Sequence, residues 1–307
     1  MPGSTGNRLG WFAVSKRRNP KATANAAPKR QKVRDIFVAR PFESLADEPE
    51  WIALRELVPA ASAPLALKPE IIEEYGDRPV TLSTVLPMAW PAMARQDGQV
   101  FVGLQRHVQS GDVSRDIAVA ILCALKTEPG GTVAVPALPG EGPRLQDILV
   151  DGALDVTMHE GFEYWLDAEQ AEDANVKASL ERANASIYPT VRLGQPAAYW
   201  CRVQPDKSHV RWVLPQDEDT ALDALARLSA GGDLLLGENT KFAGMFRAHG
   251  LLVPVWDVPG EPEGVDFEAP LSDFAKRYTD ILAETGPLDA AGRRAKQGLV
   301  GRQLTLR

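Results

Sequence analysis

Residues 128–143 hold four prolines and four glycines in sixteen positions, with no sustained helical period. Proline has no N–H to donate and clashes with the preceding turn of a helix, and glycine is costly to order, so no helix or central strand runs through the middle of this chain. The segment is therefore the expected boundary between an N-terminal lobe, 35–143, and a C-terminal lobe, 144–285. A length of 307 residues supports the division, since each half can bury an ordinary core without disulfides.

Before that boundary, residues 47–57 predict a helix opened by Asp47 and stopped by Pro59, with Trp51, Leu54, Leu57 and Val58 on one face. Runs at 65–67, 80–86 and 100–105 predict strands, the last two forming a hairpin around Asp97-Gly98. A helix follows from Asp112 or Ser114, with Ile117, Ile121, Leu122 and Leu125 inward. After the boundary come a short helix at 145–149, a strand at 154–158 and an exposed, acid- and alanine-rich helix at 168–185. Strands are expected at 191–193, 198–203 and 210–214, then a helix at 218–228. A further helix from Asn239 or Thr240 should end at His249-Gly250, before a proline-bearing strand and a closing helix at 271–282.

This order predicts an α+β fold of two lobes, each a mixed, mainly antiparallel sheet with packed helices. Strand, polar turn and capped helix at 100–125 return at 210–228, and helix, break and strand at 51–67 return at 242–258. The two echoes raise a diverged internal duplication.

Charge is distributed unevenly. Residues 1–34 contain nine of the 34 basic residues (Arg8, Lys16, Arg17, Arg18, Lys21, Lys29, Arg30, Lys32 and Arg34) and no acid, which leaves 25 basic against 41 acidic residues and a formal −16 for the remainder. With Pro20, Pro28 and the small residues of 22–27, this tail has the composition of a disordered segment. A phosphate backbone is its natural partner, because each neutralised phosphate releases a counterion. The plain alternative is a solubilising tail that docks on the acidic body. Residues 286–307 are basic again, with Arg293, Arg294, Lys296, Arg302 and Arg307 against Asp289. The different composition of 1–12 leads us to expect that Val14, read from a valine-type start codon, is the natural initiator.

Several classes are not supported. Cys123 and Cys201 stand alone, without Cys or His at ligand spacing, so neither a disulfide framework nor a metal site is expected, and a reducing, cytoplasmic compartment fits. No apolar run approaches the length that spans a bilayer, and residues 10–14 precede Lys16, Arg17 and Arg18, the reverse of secretory order, so no membrane is expected. The chain has neither G-x-x-x-x-G-K-[ST] nor G-x-G-x-x-G, so no cofactor is expected.

Few residues offer chemistry. His159 and Glu160 follow a strand beside aromatics and make a conceivable acid–base pair, against the plainer reading of a packed strand-end histidine. Cys201, between Trp200 and Arg202, is a candidate thiolate, against a small core residue. Ser114, Arg115 and Asp116 open a helix and could meet an anion, although capping explains Asp112 and Ser114 equally well. Trp90, Trp165, Trp200, Trp212 and Trp256 lie in or near strands, where they pack a core or share an exposed stacking face.

Longer phrases carry a resemblance: Arg40-Pro41-Phe42-Glu43, Trp51-Ile52-Ala53-Leu54-Arg55-Glu56, Val85-Leu86-Pro87-Met88-Ala89-Trp90-Pro91, Ser110-Gly111-Asp112-Val113-Ser114-Arg115-Asp116, Met245-Phe246-Arg247-Ala248-His249-Gly250 and Arg302-Gln303-Leu304-Thr305-Leu306-Arg307. From Phe37 to the end the chain resembles the actinobacterial DUF5926 family, whose members are uncharacterised. The resemblance implies that some relatives carry, ahead of the shared body, a Cys-rich zinc motif similar to that ending the SecA translocation ATPase. The first 34 residues here contain no cysteine, so zinc binding is not carried over.

These readings lead to an expected adaptor that contacts RNA or the ribosome through Lys16, Arg17, Arg18, Lys21, Lys29, Arg30, Lys32 and Arg34, and a protein partner through its acidic body. The rival is an enzyme using a cleft between lobes, with His159, Glu160 and Cys201. A third is a scaffold with an exposed apolar groove.

Overall fold

The computed structural model describes residues 35–167, 170–260 and 262–302. The first half runs α1 (Glu48–Glu56), β1 (Ala61–Leu65), α2 (Pro69–Tyr75), β2 (Val80–Val85), β3 (Ala92–Ala94), β4 (Val100–Gln105), α3 (Val113–Lys126), α4 (Leu145–Ile148) and β5 (Thr157–Met158). The second half runs α5 (Ala174–Asn184), β6 (Thr190–Arg192), β7 (Ala198–Gln204), β8 (Lys207–Trp212), α6 (Glu218–Gly231), β9 (Lys241–Ala248), β10 (Leu251–Val258), α7 (Glu268–Leu282) and α8 (Ala290–Val300). The strands form two five-stranded sheets, ordered β3-β4-β2-β1-β5 and β6-β7-β8-β10-β9, so the chain has the expected α+β fold with two mainly antiparallel sheets.

The first sheet departs from the expected hairpin. β2 and β4 pair in parallel, Val80 opposite Val100. Pro87 and Pro91 with positive φ at Met88 and Ala89 turn the chain, and β3 then pairs antiparallel with β4. The Asp97-Gly98 turn does close a hairpin, between β3 and β4. Residues 128–143 are irregular as expected, yet the first sheet continues beyond them: Leu67 bridges Leu149, and β5 pairs with β1. A Pro/Gly-rich stretch marks where the backbone cannot be regular, not where a sheet has its last member.

In the second sheet all pairs are antiparallel. The expected helix from Asn239 or Thr240 is instead β9, hairpinned to β10 by His249 and Gly250 at φ 48° and 90°, the left-handed pair that a two-residue turn requires. A register shift opposite Val255 and Trp256 gives this strand its helix-like spacing. It changes the phase of β9, so that Phe242 and Met245, three apart, both enter the same core and imitate helical spacing. The strand-to-helix echo survives as β4–α3 and β8–α6. The helix-to-strand echo does not, and the strand orders differ.

One core lies between the sheets around α1. It joins Trp51, Ile52 and Leu54 to Val102, Leu104 and Ile121 on one side and to Tyr199, Phe246 and Val253 on the other. α1 is therefore enclosed rather than amphipathic, with even Glu50 and Arg55 buried. A second core fills the other face of the second sheet, where Trp212, Trp256, Leu225, Phe274 and Leu299 meet. Leu299 belongs to α8, inside the segment read only as basic. Lys296 Nζ lies 2.5 Å from Asp223 Oδ1 on α6, so part of that charge is neutralised within the body. A third, smaller cluster of Leu86, Phe101, Phe162 and Trp165 covers the outer face of the first sheet. No helix among the described residues is long and apolar enough to cross a membrane.

Candidate functional site

Lys16, Arg17, Arg18, Lys21, Lys29, Arg30, Lys32 and Arg34 lie outside the described residues. The other expected sites can be placed.

Ser62 of β1 and Ser83 of β2 face each other across the strand pair. Residues after β5 fold over this face, anchored by the His159 N–H donating to the Ala60 carbonyl at 3.0 Å. The His159 Nε2 then sits 2.7 Å from Ser62 Oγ, and its ring stacks on Tyr164 with centroids 4.0 Å apart. The Tyr164 hydroxyl is 2.8 Å from Ser83 Oγ, and Trp165 Nε1 donates to the Val85 carbonyl at 3.1 Å. Burial lowers the His159 pKa against the opposing charge of Glu163, which favours a neutral imidazole able to accept a proton. His159 and the exposed Glu160 both line a cavity of about 380 Å³ that Trp200 and Glu263 also border. No His159–Glu160 hydrogen bond exists among the described residues; the partner of the histidine is Ser62, unforeseen because it is 97 positions away.

Cys201 is not part of this arrangement. It is buried in β7 opposite Thr190 and His209, and burial raises its thiol pKa, so it is a packed core residue rather than a thiolate. Trp200, Trp256, Trp165 and Trp212 are buried, leaving Trp90, 44% exposed, without a shared aromatic face. Asp112 caps α3 by accepting from Arg115 N at 3.3 Å, while Ser114 Oγ donates to Gln146 Oε1 and accepts from Leu145 N, so this helix start is occupied by its own chain.

A second polar site lies where α1 ends and the parallel strands β2 and β4 finish. Arg55, with a side chain only 7% exposed, donates to the Leu104 carbonyl and to Gln109 Oε1, and its Nε is 3.2 Å from Glu56 Oε1. His249, brought from the β9–β10 turn, places Nε2 2.8 Å from the same Glu56 oxygen. Burial works to raise the Glu56 carboxyl, but the His249 hydrogen bond and the charges of His249 and Arg55 outweigh it and hold the pKa below the ordinary value. Arg106, one residue past β4, donates to the carbonyls of Val108 and Asp116. Arg55, Glu56, Gln105, Arg106, Gln109 and Tyr188 line a cavity of about 600 Å³. The available sequence signal was Arg55 inside a predicted apolar helix, since a buried guanidinium group needs a reason.

These features define the class as an α+β protein with two five-stranded sheets and two polar cavities beside the first sheet. Its sequence matches the model of a family of unknown function, DUF5926, over residues 41–307, so the chain belongs to that family. Neither a protein with a curated description nor a solved structure matches it.

Proposed function

We propose that the protein is a cytoplasmic adaptor, not itself a catalyst, which contacts RNA or the ribosome through residues 1–34 and presents its acidic body to a protein partner. The observation that carries this reading is the separation of charge: nine basic residues and no acid in 1–34, against a formal −16 in the remainder. A polyanion binds such a segment by counterion release and is repelled by such a body, so contact is confined to the tail and weakens with salt. The experiment is sedimentation of cell lysate through a sucrose gradient, with and without RNase, for the intact chain and one lacking residues 1–34. Tail-dependent, RNase-sensitive migration with ribosomal fractions is expected. Migration as a small free protein in both forms would remove the reading.

The hydrogen bond between Ser62 and His159 beside a cavity favours one alternative, an acyl-transfer enzyme. Ser62 Oγ would attack a carbonyl as His159 takes its proton, and His159 would return that proton to the leaving group as its bond to the carbonyl carbon breaks, leaving an acyl-serine that water hydrolyses, with Glu160 bordering the cavity. Treatment with a fluorophosphonate and mass spectrometry tests it; an unlabelled Ser62 rules against the alternative.

A further inference from the structure

The cavity at the end of α1 has an imbalance of donors. Its lining brings two guanidinium groups, Arg55 and Arg106, against the single carboxylate of Glu56, which is already engaged by His249 and Arg55. Gln109 uses its Oε1 to accept from Arg55, so its amide N–H groups remain, and they have no acceptor among the described residues. Arg106 uses Nε and one terminal nitrogen on backbone carbonyls, and its Nη2 likewise has no acceptor among them. Asp116 stands behind Arg106, but its Oδ2 accepts from Ser110 N at 2.7 Å and it forms no ion pair with Arg106 within 4.0 Å. Surplus donors beside a cavity call for an acceptor-rich ligand.

We propose that this cavity is a binding site for a small organic phosphate, held by Arg106, Gln109 and the remaining N–H groups of Arg55. Three side chains arriving from α1, from the end of β4 and from the following loop can serve the three terminal oxygens of a phosphate monoester, where a carboxylate has two. The volume, about 600 Å³, suits a small metabolite rather than a bare ion. The place also fits, because ligands of sheets with parallel strands collect beyond their carboxyl ends, here Val85 and Gln105. Burial lowers the pKa of both arginines, and the charge of Arg106 adds to the lowering at Arg55, so an anion between them would offset the cost of keeping both charged. Arg55 is itself held by the Leu104 carbonyl and Gln109 Oε1, which orients its remaining N–H groups. The residues named as lining the site all follow residue 34 in the sequence.

The test uses the thermal midpoint and isothermal titration of the full-length protein with inorganic phosphate and with ribose 5-phosphate, at constant ionic strength. Saturable binding of both is expected, unchanged when residues 1–34 are deleted. Arg106→Gln should weaken it roughly tenfold or more, the scale of one lost charge-assisted contact. Should Arg106→Gln fail to fold, Gln109→Glu decides: it keeps the acceptor for Arg55 at an exposed position while adding a negative charge, and it should abolish binding. Binding that survives Gln109→Glu, that disappears with the tail, or that is stronger for citrate than for either phosphate would overturn the assignment.

Discussion

The two ends of α1 carry buried charge in opposite conditions. Near its start, Glu50 is 2% exposed and fully matched: the Tyr199 hydroxyl and the Ala197 N–H donate to it, and Arg192 Nε lies 3.3 Å away. Near its end, Arg55 and Glu56 face a cavity with donors left over. Burial and the neighbouring Glu50 together raise the Tyr199 pKa far above its ordinary range, so that hydroxyl remains a donor at any physiological pH. A saturated buried charge ties α1 to the second sheet and has no capacity for a ligand. An unsaturated one contributes less to holding the fold and retains groups that can bind. The distinction lies in the partner count, not in burial alone.

If that comparison is right, substitutions at matched positions should cost stability and those beside the cavities should cost less. The largest effect is expected for Glu50→Ala, which leaves Tyr199, Ala197 and Arg192 without their shared acceptor and should lower unfolding free energy by about 3 kcal/mol in urea denaturation. A loss below about 1 kcal/mol would break the comparison. Next come two fully buried tryptophans. Trp256 Nε1 donates to the Leu234 carbonyl at 2.8 Å, whereas Trp200 Nε1 has no partner among the described residues. Trp256→Phe should cost about 2 kcal/mol and Trp200→Phe about 1 kcal/mol less, because only the first strands a carbonyl. Equal losses would show that packing, not pairing, decides. Gly250→Ala follows, at about 1 kcal/mol, since φ is 90° and a methyl group would meet Arg40 Cβ at 3.0 Å.

The smallest effect concerns His159. Its folded pKa is lowered by burial, so between that value and the ordinary value of 6.5 the unfolded chain binds more protons than the folded one. Stability should therefore be level above pH 6.5 and decline as pH falls below it. His159→Asn should make the decline shallower without removing it, because burial also lowers the His209 pKa, with Arg211 adding to the effect. Urea midpoints between pH 7.5 and 5 measure both slopes, and identical slopes would mean His159 is solvated in the folded state.

Much of the layout was legible locally. Asp112 and Asp217 cap α3 and α6 as their sequence positions require, and β8 alternates buried with more exposed residues as a half-buried strand does. The failures share a cause. α8 carries Leu299 alone deep in the core, too weak a period to read against its basic neighbours, and β9 conceals its strand phase behind a bulge. Of the candidate chemistry, His159 was legible as a strand-end imidazole, but Ser62, Arg55, Arg106 and Gln109 were not, since their meaning depends on neighbours 49 to 97 positions away.

The family, the α+β class, the placement of most helices and strands and the polarity of charge could all be read along the chain, because caps, turns and periodicity act within a few residues. Tertiary structure alone decided that β2 and β4 run parallel, that α1 is enclosed by both sheets, that Cys201 is inert core and that two arginines meet at one cavity. Those outcomes follow from pairing and burial between distant segments, where the free energy depends on which groups a fold leaves matched and which it leaves with a donor to spare.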